Sequence, residues 1–364
     1  MILKDLLDEL EKWAPKVYAE DFDNVGLLVG NPQQKCEGVL VSLDCTLKVI
    51  EEAKRKHCNI ILCFHPIIFS GLKKITENTY VERIVQQAIK NDIAIVALHT
   101  RLDNHPKGVN YVLEKALGIQ NSRVLIPKAG GLKKLSAYVP KDFSQSVLDA
   151  LCQSGAGSIG NYDECSFSIT GSGQFRGKEN SQPFIGKVNE RITVDEVQIQ
   201  MVFASHLQSK VIHALHESHP YETVAFEILP LENTNPEVGM GRIGELSNSL
   251  ECIDFLSMLK KALGTKVLRH SAFVNKKIHK VAVLGGSGSF AIDVAKQQGA
   301  DAFVTADLKY HHFFQGEESF LLVDVGHYES EQFVKKLIFD YLNKKMYNFA
   351  IVLSETLTNP VNYF

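Results

Sequence analysis

The stretch Leu321-Leu322-Val323-Asp324-Val325-Gly326-His327-Tyr328-Glu329-Ser330-Glu331 is an apolar run that ends in a histidine and a glutamate four residues apart. Beyond it Phe333, Leu337, Ile338, Tyr341 and Leu342 recur at helical spacing, which predicts a strand followed by a helix over 332–344. Glu331 is then expected in or beside the first helical turn, one turn on from His327, so that both side chains reach one point in space. An imidazole nitrogen and a carboxylate converging there suit a divalent cation, and a helix N-terminus favours the ionised glutamate. An H-x-x-x-E spacing is also a common accident, and the same residues read equally as a polar turn. The rest of the chain has to decide.

Working outward, the same strand-then-helix grammar recurs. In residues 1–128 strands are expected at 38–43, 59–64 and 93–98, alternating with helices at 47–57, 80–91 and 108–117. In residues 237–364 strands at 280–284, 302–304 and 321–325 alternate with helices at 292–298 and 332–344. Alternation of this kind implies parallel sheets covered by helices, so the fold expected is α/β: two Rossmann-like αβα lobes forming one discontinuous domain. Residues 129–236 differ. They read strand (135–139), helix (144–154), paired strands (166–175 and 197–204), helix (207–219), strand (223–229), the order of an inserted ferredoxin-like α+β domain.

In open parallel sheets ligands bind beyond the carboxyl ends of strands, and here those ends are polar. They carry Asp44, His65, His99 with Asp103, Asp307, and His327 with Glu331. Together these form a nitrogen and oxygen donor set suited to zinc, iron(II) or manganese. Taken singly, Asp44 reads as the cap of the helix starting at Leu47, and Asp307 as a surface partner of Lys309. His99 reads evenly as a ligand or as a residue orienting one. His213, His216 and His219 read as a partly exposed helix face. Gly285-Gly286-Ser287-Gly288-Ser289 has the context of an anion-binding turn but lacks a Walker lysine, so a tight strand-to-helix turn is the default.

Bulk properties exclude several classes. With Lys+Arg 39 against Asp+Glu 42 and no basic run, no nucleic-acid polymer is expected as a partner. Seven cysteines without a C-x-x-C pair argue against a disulfide framework and for the cytoplasm. No stretch approaches membrane-spanning length, and the N-terminus reads as an amphipathic helix.

Several segments carry a family resemblance: Asp23-Asn24-Val25-Gly26-Leu27-Leu28-Val29-Gly30, Leu43-Asp44-Cys45-Thr46, His65-Pro66-Ile67-Ile68-Phe69, His99-Thr100 with Leu102-Asp103, His219-Pro220-Tyr221-Glu222, and Gly326 to Glu331. Over nearly its whole length the chain resembles the NGG-interacting-factor-three-like proteins, also known as GTP cyclohydrolase I type 2 homologues. Its insert is similar to the PII-like domain of the longer bacterial members. The resemblance implies a homohexameric ring with a dinuclear metal site in each subunit and His65, Asp103, His327 and Glu331 as metal ligands; departures from the family pattern leave one or two divalent metals (Zn, Fe or Mn) per subunit as the expectation. It further implies a metal-dependent hydrolase acting on GTP or a related nucleotide; in such a reaction His99 is expected as a proton shuttle, and Arg101 and the Gly285 to Gly288 turn are expected to hold the phosphates. The alternative is a non-enzymatic metal-binding or regulatory oligomer.

Four positions depart from the family pattern. Phe64 replaces the first of two adjacent histidines, Arg101 an asparagine, Ala306 a glycine and His312 an aspartate. A phenyl ring cannot coordinate, and Cys63 should point to the opposite face of its strand.

Overall fold

The computed structural model describes all 364 residues, in two compact units: Met1–Pro127 with Glu237–Phe364, and Lys128–Pro236.

The larger unit contains two sheets. In the first, strand order is Gly26–Val29, Ala94–Ala97, Ile60–Cys63, Val39–Ser42, Ile351–Leu353. All pairings are parallel except that of Gly26–Val29. Alternation along the strands decides which face each residue serves. Ile60, Leu62 and Phe64 join Leu3, Leu6, Leu10 and Ile338 in one core, whereas Ile61 and Cys63 join Val49, Ile50, Ile84 and Val85 in another. A sheet buried on both faces must be apolar throughout, which is why these strands read as uninterrupted runs.

The second sheet orders Arg269–His270, Leu321–Asp324, Ala302–Ala306, Ile278–Ser287, Gly239–Leu250, Gln120–Pro127. Its central three strands are parallel and its outer ones antiparallel. The two sheets exchange strands along the chain: Gln120–Pro127 follows the first lobe yet pairs in the second sheet, and Ile351–Leu353 follows the second lobe yet pairs in the first. Sheet membership therefore does not follow the sequence order of the two halves.

The smaller unit is βαββαβ, with antiparallel order Phe167–Arg176, Arg191–Ala204, Leu132–Pro140, Phe226–Pro230. Val147, Leu151, Val211 and Leu215 of its two helices pack on the sheet residues Leu135, Ala137, Ile199 and Met201. His219 is buried, its ring bonded to the Tyr138 carbonyl and to the Tyr221 amide. It therefore shares no exposed face with His213 and His216, contrary to the helical-spacing reading.

Candidate metal centre

Within the larger unit, strand ends from both sheets meet at one cavity. His65 follows Ile60–Cys63, and Asp103 closes the short helix Thr100–Asp103 after Ala94–Ala97. His327 and Glu331 begin and end a five-residue helix after Leu321–Asp324. This corrects one expectation, because Glu331 ends that helix and the longer one starts only at Val334. Its ionisation therefore cannot be credited to a helix N-terminus.

The donor atoms converge. Nε2 of His65 and Nε2 of His327 lie 3.0 and 3.1 Å from Oε2 of Glu331, and 3.3 Å from each other. All three ligand atoms fall within 4.8 Å, so this trio could hold a metal ion. Oε2 of Glu331 is buried with no aligned hydrogen-bond donor, and Oδ1 of Asp103 is in the same condition in the same cavity. Leaving such oxygens unpaired costs about 1–3 kcal/mol each or more. A cation taking up their lone pairs satisfies them, so the donor set fits a divalent ion. Asp103 stands outside the tight trio but faces it: burial first, then the Glu331 charge, push its carboxyl well above the ordinary carboxylate range.

Each imidazole is held from behind. Asp44 accepts from Nδ1 of His65 at 2.7 Å, and Asp307 accepts from Nδ1 of His327 at 2.7 Å, which turns both Nε2 atoms toward Glu331. Thr358 donates to Asp44, and Ser287 to Asp307. Two sequence readings fall here. Thr46, not Asp44, caps the helix Leu47–Arg55, and Asp307 serves His327 instead of Lys309. We expect Asp44→Asn and Asp307→Asn each to weaken cation binding by roughly 10- to 100-fold, measured by competition with a chromogenic chelator. An unchanged affinity would assign both carboxylates to surface contacts.

The electrostatics are coupled. Burial opposes ionisation of Glu331, but its two imidazole neighbours prevail and hold it at about 2. Burial likewise pulls both imidazoles down, and the facing carboxylates Asp44, Asp307 and Glu331 reverse this, holding both above the ordinary histidine value. Gly286 matters sterically. Its φ is +69°, and a β-carbon there would lie 2.3 Å from Oε1 of Glu331, so only glycine lets the backbone pass this close.

His99 flanks the site with a backbone φ of +36°, a conformation side-chain-bearing residues seldom keep. Asp23 fixes it: one carboxylate oxygen accepts from Nδ1 of His99 at 2.8 Å, the other from the Thr100 amide and hydroxyl. Asp23 was missed as a site residue, although it opens the Asp23 to Gly30 segment, because nothing in its sequence neighbourhood signals its distant partner.

Arg101 and the first two amides of the 285–288 turn are already engaged within the protein. Arg101 turns away and donates to the carbonyls of Ala14 and Leu10 and to Glu11, so it ties down the helix Leu3–Trp13. The amides of Gly285 and Gly286 are already given to Asn110 and Ser330. Phe64 is fully buried, with its ring 4.9 Å from that of His65 and 5.7 Å from that of His99. Cys63 lies on the other face, where its thiol meets the carbonyls of His65 and Val96.

A two-lobed α/β protein with a His/His/Glu cluster at the carboxyl ends of its strands is the class so defined. The Duf34/NIF3 (NGG1p interacting factor 3) family model matches residues 1–360, and the chain belongs to that family. It is 38% identical over 368 residues to a Bacillus subtilis protein named GTP cyclohydrolase 1 type 2 homolog, covering 99% of this chain and 98% of that one. It is 35% identical over 367 residues to the Staphylococcus aureus protein of the same name, covering all of both. The crystal structure of a Bacillus cereus protein related to NIF3 superimposes with a TM-score of 0.89 at 36% identity, over 100% of this chain and 99% of that one.

Proposed function

We propose that the chain binds a divalent cation through His65, His327, Glu331 and Asp103, and that it is a metal-dependent hydrolase acting on GTP or a related nucleotide. The observation that carries this reading is the convergence of two imidazole nitrogens on the buried Oε2 of Glu331, with Oδ1 of Asp103 buried and without a hydrogen-bond partner in the same cavity. The name of the B. subtilis and S. aureus relatives suggests the substrate. When bound, zinc, iron or manganese supplies Lewis acidity, polarising an electrophile and making water a nucleophile near neutral pH. The side chains do the remaining work. Asp44 and Asp307 keep both Nε2 atoms forward, and His99, backed by Asp23, takes and returns a proton at its Nε2.

A second reading, a non-enzymatic metal-binding or regulatory oligomer, is favoured by Phe64, which offers no lone pair where a further donor would extend the site. Elemental analysis of the purified protein with a formate-release assay on GTP separates the two. Two cations per chain with formate released supports the hydrolase, and a single cation with no turnover supports the regulatory protein. Protein that takes up none of these metals sinks both. We further read the insert as PII-like, the assembly as a homohexamer and the setting as the cytoplasm, where seven free thiols are at home. A light-scattering mass of six chains checks the assembly.

A further inference from the structure

The cation cavity, about 380 Å³, opens past three phenylalanines that the proposed chemistry leaves unused. Phe22, Phe69 and Phe290 line it while remaining 66%, 51% and 59% exposed. Three large apolar rings left in water around one opening are unusual for a surface without a ligand. Two of them begin a file of rings that runs inward to the donor atoms. Centroid separations are 6.4 Å for Phe22 to Phe69, 6.2 Å for Phe69 to His99, 5.7 Å for His99 to Phe64, and 5.2 Å for His65 to His327. The volume lies in the range of small-molecule sites.

No lysine or arginine lines the cavity, whose titratable side chains are His65, His99, His327, Asp103 and Glu331. The phosphate contacts expected from the sequence are spent, Arg101 on Ala14 and Glu11, and the Gly285 and Gly286 amides on Asn110 and Ser330, while Arg269 lines the adjoining cavity beyond His65 and His327 and not this one. A divalent ion held there has two carboxylates, Asp103 and Glu331, among its neighbours, which lessens its pull on a polyphosphate. Flat π faces, by contrast, hold any planar ring by stacking, whatever its sequence of ring atoms.

We infer that this cavity takes a planar heteroaromatic ring between the exposed phenylalanines and leaves any attached phosphate in solvent, so that ring and not phosphate determines recognition. The inference takes the cavity of the proposed hydrolase as its site and names the substrate class: a nucleobase-like ring system, bound as well without phosphates as with them.

Isothermal titration of the full-length protein with guanosine, GTP and inorganic triphosphate tests this. Guanosine is expected to bind, GTP to bind within a few-fold of it, and triphosphate not to bind. Phe22→Leu and Phe69→Leu, which keep an apolar surface but lose the π face, should weaken guanosine binding by about tenfold. Both positions are exposed, and the variants should keep the parent's light-scattering mass and cation uptake. GTP more than tenfold tighter than guanosine, no saturable guanosine binding up to its solubility, or variants that bind as the parent does would each overturn the inference. So would variants that change the oligomeric mass while ring binding persists, because the phenylalanines would then seat a second copy. Cation uptake is read separately: protein that stacks guanosine but takes up no metal keeps this inference and loses the hydrolase reading, and protein with metal but no guanosine binding does the reverse.

Discussion

Glu331→Gln is expected to reduce cation affinity by roughly a thousandfold or more, since zinc sites built from a few such ligands are worth about 10–16 kcal/mol in total. The change keeps the side chain's shape and removes the charge on which both imidazoles converge. It also frees His65 and His327 from their shared counterion, so their affinity for protons should fall in parallel. In the metal-free protein both imidazoles are held above the ordinary histidine value, whereas Glu331, at about 2, stays ionised. A cation must therefore displace imidazole protons: binding should release protons into weakly buffered solution and should tighten as pH rises. Chelator competition across pH measures both effects. Affinity within tenfold of the parent would remove Glu331 from the ligand set.

Glu52→Ala should destabilise the protein by about 3 kcal/mol, read as a lower urea midpoint. Glu52 is 1% exposed. It accepts from the hydroxyls of Ser354 and Thr356 and from the amides of Glu355 and Thr356, thereby fastening the strand Ile351–Leu353 next to the helix Leu47–Arg55. Truncation leaves these donors unanswered. Burial raises the Glu52 pKa, but the hydrogen bonds from Ser354, Thr356 and their amides outweigh it and bring the group below its ordinary 4.5. Its contribution is thus complete above pH 4.5 and fades as pH falls through the folded-state value, so the variant should lose less stability on acidification than the parent. Equal acid sensitivity of the two proteins would refute this assignment.

The buried parallel strands were legible because both their faces are apolar, as in Ile60 to Phe64 and Leu321 to Val325. Gly239–Leu250 was not: five polar residues and three glycines break its pattern, and only pairing on both sides makes it a strand. Gln120–Pro127 and Ile351–Leu353 were missed for a related reason, since an edge strand takes its identity from a partner far along the chain. At the site, donor residues stood out at strand ends because residue type and position coincide. The supporting contacts did not, because a hydrogen bond such as Asp23 to His99, Asp44 to His65 or Arg101 to Ala14 is fixed by folding and leaves no local periodicity.

The crossing of Gln120–Pro127 and Ile351–Leu353 between sheets has a consequence for how the molecule is born. Val39–Ser42 is made early, yet its neighbour on one side emerges about three hundred residues later, a separation that slows folding. During translation that strand's flank stays bare, a template for mispairing with other nascent chains. Chaperone demand should therefore concentrate on the first sheet, and the cation cavity, whose donors come from both lobes, can assemble only after His327 and Glu331 have emerged.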